Sequence, residues 1–157
     1  PGARPARRAM SDDLRLTLRP LTDRDEAFYV ALYSDELTMR FVAAPLSPSA
    51  ALASFRAAIH RRCRHIAALE GQPRVLLSAD RRGAWLEIGL MMLPAHWGHG
   101  LATRVFALWL SEPWIATAPL LIRTAEENIA MRKLAERHGF ARTDSAESLA
   151  RYVRLPL

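Results

Sequence analysis

The chain has 157 residues, of which 50% are hydrophobic and 24% are charged, a size and composition typical of one folded domain rather than of a disordered chain. Its single cysteine, Cys63, excludes an internal disulfide, and no spacing of Cys and His indicates a zinc site. No apolar run approaches the roughly 20 residues of a membrane helix, and no apolar signal region opens the chain. We therefore expect a cytoplasmic protein without a metal or a membrane partner, with residues 1–10 as a disordered or extension segment and residues 11–157 as one domain.

The net charge of +6 arises from 21 arginines and one lysine against 16 acidic residues. A nucleic-acid interface requires a basic stripe with aromatic side chains that stack on bases. The densest basic run, His60–His65, contains no Phe, Tyr or Trp. Its arginines suit the last turn of a predicted helix, where the helix dipole stabilises cations. We therefore expect no nucleic-acid partner.

The first part of the chain predicts one strand and three helical segments. Leucines alternate with polar residues over Leu14–Leu18, which indicates a half-buried strand, and Pro20 ends it. An acidic start predicts a helix over Thr22–Ser34, and a short turn follows at Glu36–Phe41. An N-cap serine followed by proline, and apolar residues three and four apart, predict a helix over Ser47–Arg64 with Cys63 on its apolar side.

Strands and helices alternate in the remainder of the chain. Turn sequences rich in Gly, Pro and charged residues separate three strands that read as an antiparallel meander. The predicted elements are strands His65–Glu70, Arg74–Ala79 and Ala84–Leu93, helix Leu101–Leu110 ended by Pro113 and Trp114, strand Leu120–Thr124, helix Asn128–His138 closed by Gly139, and a hairpin of Phe140–Thr143 with Ala150–Leu155. This order indicates an α/β or α+β fold.

The segment that carries chemistry is Glu87–Thr103, which reads as a strand, a proline stop, a glycine-containing loop and a helix start. Glycines let the backbone approach a ligand closely. The first turn of the helix presents unpaired N–H groups and the positive dipole end, a site suited to phosphate or pyrophosphate. The segment is neither a dinucleotide fingerprint nor a Walker loop. On spacing alone, a plain strand-to-helix turn stays open as the alternative.

The loop Trp97–Ala102 resembles the acyl-CoA-binding motif of the GNAT N-acetyltransferase superfamily, Arg/Gln-x-x-Gly-x-Gly/Ala. Tryptophan stands here in the first position, as it often does in the ribosomal-protein alanine N-acetyltransferase branch. Other blocks of that branch follow in the same order: the opening strand at Leu14–Thr22, the fourth strand at Glu87–Leu90, the asparagine-bearing helix at Glu127–Met131 and the closing Arg137–Phe140. Together the blocks span nearly the whole predicted domain.

This resemblance implies a GNAT fold of the α+β type. Its sheet is mixed and mostly antiparallel, has about seven strands, and is flanked by about four helices. The sheet splays between the fourth strand, Leu86–Leu93, and the fifth, Leu120–Thr124, and the pantetheine arm of acetyl-CoA enters that gap. Where two strands part, their main-chain N–H and C=O groups lose their hydrogen-bond partners. The amides of the ligand can then take the place of those partners.

The resemblance also assigns the cofactor contacts. The strand supplies main-chain partners, the Met92 N–H polarises the thioester carbonyl, and the loop amides hold the pyrophosphate. Asn128 hydrogen-bonds the pantetheine or locks the splay, while the residue pattern alone also allows an N-cap. The residues assigned to acetyl-CoA are Leu90, Met91, Met92, Trp97, Gly98, His99, Gly100, Leu101, Ala102, Thr103 and Asn128.

For catalysis, the first candidate is Glu87 as a general base acting through a water. A carboxylate beside an apolar cleft is expected to have a raised pKa. The alternative is a solvated carboxylate that pairs with Arg82 or Arg123. His96, at the end of the strand, is the second candidate base.

Two positions depart from the superfamily pattern. Ala135 and Met131 stand where relatives carry a tyrosine or a serine, and neither side chain can protonate the leaving thiolate. Tyr33 and Tyr152 are candidate replacements, although packed aromatic roles are favoured for both. Cys63 is expected to be an inert core cysteine.

The expected function is direct transfer of an acetyl group from acetyl-CoA to a primary amine in a ternary complex. The acceptor is a protein or peptide N-terminus or a small-molecule amine, bound between the helices of residues 22–54 and the closing hairpin. The expected oligomeric state is a monomer or a homodimer. The alternative is a non-catalytic acyl-CoA-binding or regulatory module of the same fold, suggested by Ala135 and Met131.

Overall fold

The computed structural model describes residues 15–143 and 149–156. The predicted extension of residues 1–10 and the first residue of the predicted opening strand lie outside them. The strands are β1 Leu16–Pro20, β2 Arg64–Leu69, β3 Gln72–Arg82, β4 Trp85–Met92, β5 Leu120–Ala125, β6 Ala141–Thr143 and β7 Leu149–Arg154. The helices are α1 Glu26–Ser34, α2 Glu36–Met39, α3 Pro48–Ala58, α4 Leu101–Leu110, α5 Pro113–Ala116 and α6 Ile129–Arg137, with 3₁₀ turns at Asp23–Asp25 and Pro94–His96.

The described strands form one sheet in the order β1-β2-β3-β4-β5-β7-β6. Every neighbouring pair is antiparallel except β4 and β5, which are parallel. The closing hairpin folds back so that β7, and not β6, pairs with β5. In the described part of the chain four helices have nine or more residues, and α2 and α5 add one turn each. The predicted mixed, mostly antiparallel sheet of about seven strands is confirmed.

The sheet separates two apolar clusters, because side chains alternate between its faces. On one face Phe106 and Trp109 of α4 and Ala135 of α6 pack against the strands. On the other, Leu32 of α1 and Phe55 of α3 do so. We call these the α4–α6 face and the α1–α3 face. Any residue on β4 or β5 therefore belongs to one of two separate environments.

Helix α3 ends at Ala58, six residues before the predicted end near Arg64. The sheet requires Arg64 in extended conformation, since its carbonyl accepts from Leu21 N–H at 3.0 Å and its guanidinium pairs with Asp80 at 2.9 Å. The chain must leave the helix early enough to reach β2. Tertiary pairing therefore overrides a helical periodicity that continues in the sequence.

Cys63 consequently lies in the turn before β2, and the prediction that places it on the apolar side of a helix is wrong. Its Sγ is 3.5 Å from an Asp80 carboxylate oxygen and 3.2 Å from an Arg64 nitrogen. Burial, opposed by the charge of Arg64, raises the pKa of the thiol. A thiol that keeps its proton is a poor nucleophile.

A partly buried ion pair ties the start of α1 to β1. Asp25 is 1% exposed. Its carboxylate accepts hydrogen bonds from both terminal nitrogens of Arg19, at 2.7 and 2.6 Å, and from the Thr22 N–H at 2.9 Å. Burial by itself raises the pKa of Asp25, but the hydrogen bonds from Arg19 and Thr22 outweigh it and hold the pKa below its usual value. The folded state therefore favours the ionised carboxylate.

Asp25→Ala is expected to lower the free energy of unfolding at pH 7 by about 2–3 kcal/mol, because Arg19 loses its buried partner. Since the folded pKa is lowered, this stability is present above the unfolded value of about 4 and disappears as the pH falls through the folded value. Denaturant unfolding at pH 7 and pH 3 measures both effects. Asp23→Ala, an exposed acid in the same turn, is the control, and an equal loss in both variants contradicts the assignment.

Candidate active site

Strands β4 and β5 part after two residue pairs. They pair only at Leu86 with Leu120 and Glu87 with Leu121, and the Leu86 N–H donates to the Pro119 carbonyl at 2.9 Å. Residues 88–92 of β4 and 122–125 of β5 continue without pairing to each other, while β3 and β7 remain paired on the outer sides. The opening is therefore inside the sheet, and the predicted splay is confirmed.

Strand alternation decides which main-chain groups face this gap. Because the Leu86 N–H points to β5, the main chains of Leu90 and Met92 also point to that side. The main chain of Met91 points to β3, where the residue pairs with Leu76. The contact of Met91 with a ligand stays a prediction, and the pairing with β3 favours main-chain contacts from Leu90 and Met92 instead. The Met91 side chain packs on the α1–α3 cluster.

The loop before α4 has two glycines in the left-handed region and leads into a helix start without a side-chain cap. Gly98 and Gly100 have φ angles of 78° and 72°, a backbone conformation that glycine adopts with least strain. Among the described residues no side chain caps α4, and its first ladder bond runs from Arg104 N–H to the Gly100 carbonyl at 3.2 Å. The amides of residues 101–103 therefore have no partner within the helix and lie at its positive end.

Basic side chains adjoin this loop. The Arg74 guanidinium lies 3.1 Å from Nε2 of His96. Arginine can only donate, so this nitrogen accepts and the ring is neutral with its proton on Nδ1. Burial, Arg74 and His99 all lower the pKa of His96. Because its basic nitrogen is engaged, His96 is a weak candidate for the base, and Arg74 and the exposed His99 instead favour anion binding.

The indole of Trp97 joins the loop to the end of β4. Its Nε1–H donates to the Met92 carbonyl at 2.8 Å, while the ring stays 43% exposed. This bond occupies the carbonyl of Met92 and leaves its N–H as the donor toward the gap. The sequence motif alone gives no sign of the bond, because it connects a side chain to a main-chain atom five residues earlier.

Trp97→Phe is expected to weaken CoA binding about three- to tenfold, because it removes one net hydrogen bond that fixes the loop. Isothermal titration with CoA measures the dissociation constant. Trp114→Phe is the matched control, since Trp114 is 42% exposed and lies in α5, away from the loop. Equal affinities of the two variants contradict the role given to the indole.

Glu87 lies on the α1–α3 face at the point where the strands part. It accepts from Arg82 Nε at 2.9 Å and from Arg123 at 3.0 and 3.2 Å. Burial raises the pKa of Glu87, but the bonds from Arg123 and Arg82 outweigh burial, so the pKa lies below its usual value. The expectation of a raised pKa is therefore wrong, and the alternative of pairing with Arg82 and Arg123 describes the free protein.

Asn128 connects α6 to β5. Its Oδ1 accepts from the Met131 N–H at 3.2 Å and caps the helix, while its Nδ2 donates to Thr124 Oγ1 at 2.9 Å. Thr124 is 6% exposed and lies on the β5 wall of the gap. The N-cap and the anchoring of the splay thus use different atoms of one side chain. A direct contact to pantetheine stays a prediction.

The positions expected to carry a general acid are apolar and packed. Ala135 is fully buried and Met131 packs against the same α4–α6 cluster. The hydroxyl of Tyr152 donates to Glu136 at 3.0 Å and accepts from a second α6 side chain. Tyr33 stacks on Tyr29 with ring centroids 4.4 Å apart, and burial raises its pKa. Both tyrosines therefore have structural partners of their own.

Within residues 15–143 and 149–156, no three His, Cys, Asp or Glu side chains come together as metal ligands. None of the helices in these ranges is long and apolar enough to cross a membrane.

Solved structures share this fold. A domain from Methanocaldococcus jannaschii DSM 2661 is 23% identical, covers 90% of this chain and 99% of its own, and has a TM-score of 0.73. A ribosomal L7/L12 α-N-protein acetyltransferase in complex with coenzyme A is 18% identical, with coverages of 90% and 94% and a TM-score of 0.73. A spermidine N-acetyltransferase from Vibrio cholerae, in complex with CoA and spermine, is 20% identical, with coverages of 88% and 92% and a TM-score of 0.70.

At these identities the likeness is one of fold, and it does not select the ribosomal-protein branch. No curated protein matches the chain at a significant level. A family model described as an acetyltransferase (GNAT) domain matches residues 15–141, most of the sequence. The parted strands and the glycine-led helix occur within that range. The chain therefore belongs to the GNAT acetyltransferase domain family.

Proposed function

We propose that the protein transfers an acetyl group from acetyl-CoA to a primary amine by direct attack in a ternary complex. The observation that carries this proposal is the gap between β4 and β5, which opens beside an uncapped helix preceded by glycine. Unpaired strand groups and unpaired helix amides are the partners that an amide-bearing arm and its phosphates require. Family membership supports acetyl transfer as the reaction class.

The residues present fit acetyl-CoA. The main chains of Leu90 and Met92 would bind the pantetheine arm, and the amides of residues 98–103 would hold the pyrophosphate. Acetyl-CoA, when bound, supplies an activated acyl thioester. The Met92 N–H would stabilise negative charge that develops on the thioester carbonyl, and one such donor typically lowers a barrier by about 3–4 kcal/mol.

Glu87 is the proposed proton acceptor. A direct attack requires a neutral amine, and the ionised Glu87 can order a water that takes the proton. Its position at the point where the strands part supports this role, although its pairing with Arg82 and Arg123 makes it a weak base in the free protein. With Ala135 and Met131 in the acid positions, the leaving thiolate takes its proton from solvent.

A thiol-release assay with acetyl-CoA tests the function. The amine panel contains N-terminal alanine peptides, suggested by the ribosomal-protein resemblance, together with small amines and spermidine. We expect CoA binding by titration and amine-dependent thiol release. CoA binding without turnover across the panel would favour the non-catalytic acyl-CoA-binding module instead. Absence of CoA binding would contradict both functions.

A further inference from the structure

Gly89 lies in the middle of β4, among the residues 88–92 that have parted from β5. Its backbone does not require a glycine, because it is extended, pairs with Ser78 of β3, and is absent from the described positions of positive φ. Glycine inside a strand lowers stability relative to other residues. It often marks a place where a ligand or another backbone approaches closely.

Packing does not require a glycine at this position either. A Cβ added to Gly89 would meet one described atom within 4 Å, the Oγ of Ser78 at 3.3 Å. That hydroxyl can rotate away, since its hydrogen bond to the Gly89 carbonyl is long, at 3.4 Å. Gly89 is also partly exposed. The space beside its Cα is therefore open to another molecule.

This open space lies between the proposed proton acceptor and the proposed oxyanion donor. Side chains alternate along β4, so Gly89 shares the α1–α3 face with Glu87, about 7 Å away along the strand, and with Met91. The Met91 side chain packs on the α1–α3 cluster. Between Glu87 and the Met92 amide, Gly89 is therefore the position where this face of the strand carries no side chain.

The opposite face of this stretch is occupied. The side chains of Ile88 and Leu90 pack in the α4–α6 cluster, together with Leu101 at the start of α4. The amides of that helix start are the ones proposed to hold the pyrophosphate. In a ternary complex the acceptor needs a side of the gap that the cofactor leaves free, and here that side is the α1–α3 face.

We propose that the acceptor amine reaches the thioester across Gly89, with the carbon chain beside its amino group lying against the Cα. Glycine suits this position because a side chain would lie in the path of the acceptor. This inference rests on the proposed function and adds to it the residue that limits the width of the acceptor. A larger residue here would exclude the acceptor and spare the cofactor, since the main chain of Gly89 pairs with β3 and does not face the gap.

Gly89→Ala and Gly89→Val test the inference with the amine of the thiol-release panel that has the highest kcat/KM. We expect kcat/KM for this amine to fall about tenfold in the alanine variant and about a hundredfold in the valine variant, the usual effect of overfilling a limited space. In the alanine variant the loss should appear mainly in KM for the amine. The dissociation constant for CoA, measured by titration, should stay unchanged.

Ser78→Ala/Gly89→Ala is the control for local crowding, because it removes the one described atom that the added Cβ would meet. A loss that persists when this double variant is compared with Ser78→Ala supports the acceptor path. Recovery of kcat/KM in the double variant, an unchanged kcat/KM in Gly89→Val, or a weakened CoA affinity in Gly89→Ala overturns this inference alone. A wild-type protein that binds CoA but acetylates no amine overturns the proposed function together with it. Thermal unfolding of each variant confirms that a lost activity does not reflect a lost fold.

Discussion

Replacing Gly100 by aspartate is expected to raise the dissociation constant for CoA by about a hundredfold or more, because a fixed carboxylate then repels the pyrophosphate. Gly100 directly precedes the unpaired amides of α4 and has a φ angle of 72°. The new carboxylate can also accept from those amides in the manner of an N-cap. The carboxylate of the introduced aspartate would thereby occupy the site proposed for the pyrophosphate. Isothermal titration with CoA measures the loss.

Gly83→Asp is the matched control. Gly83 has a φ angle of 60°, nothing lies within 4 Å of an added Cβ, and the residue is in the β3–β4 turn at the far end of β4 from the loop. It imposes the same backbone strain and the same charge. We expect similar destabilisation of both variants but normal CoA affinity only for Gly83→Asp. Normal affinity of Gly100→Asp would refute the phosphate-binding role of the loop.

Glu87→Gln is expected to lower kcat about a hundredfold, the lower end of the range for a general base, with CoA affinity unchanged. The pKa of Glu87 lies below its usual value, so the carboxylate is already ionised at neutral pH. Its contribution is lost only as the pH falls through that low value, below about 4.3. Between pH 6 and 9 the rate should follow deprotonation of the acceptor amine in both proteins.

Steady-state kinetics across this pH range measure the effect of Glu87→Gln. Glu26→Gln is the control, since Glu26 is an exposed acid of α1 away from the gap. A change in kcat of less than about threefold would remove Glu87 from the proton path, since general bases typically contribute far more. An acidic limb near neutral pH that disappears in the variant would show that the bound acceptor raises the pKa of Glu87.

Local patterns in the sequence were sufficient to predict an element where the signals that start it, continue it and end it all agree. Helix α4 has both predicted bounds, Leu101 and Leu110, because a glycine before it, a proline after it and an amphipathic repeat all agree. The meander of β2, β3 and β4 follows from turn residues between apolar runs in the same way. Helix α3 differs, since its apolar repeat continues past Ala58 in the sequence. Arg64 is nevertheless extended in the structure, because it belongs to β2.

The features of the candidate site also fall into those that the sequence predicted and those that required the structure. The glycine motif of residues 97–102 and the order of the family blocks predicted the loop that is proposed to bind phosphate and identified the two strands that part. The sequence left the pairing of Glu87 with Arg82 or Arg123 open as an alternative. It gave no sign of the main-chain direction of Met91 or of the indole bond of Trp97, because these depend on how the strands pair and on how the loop folds back onto β4. The sequence by itself thus determined the family and the two strands that part, beside which the proposed site lies. Only the tertiary structure decided the charge state of its carboxylate, since Arg123 lies 36 positions from Glu87 and reaches it only when β4 and β5 pair.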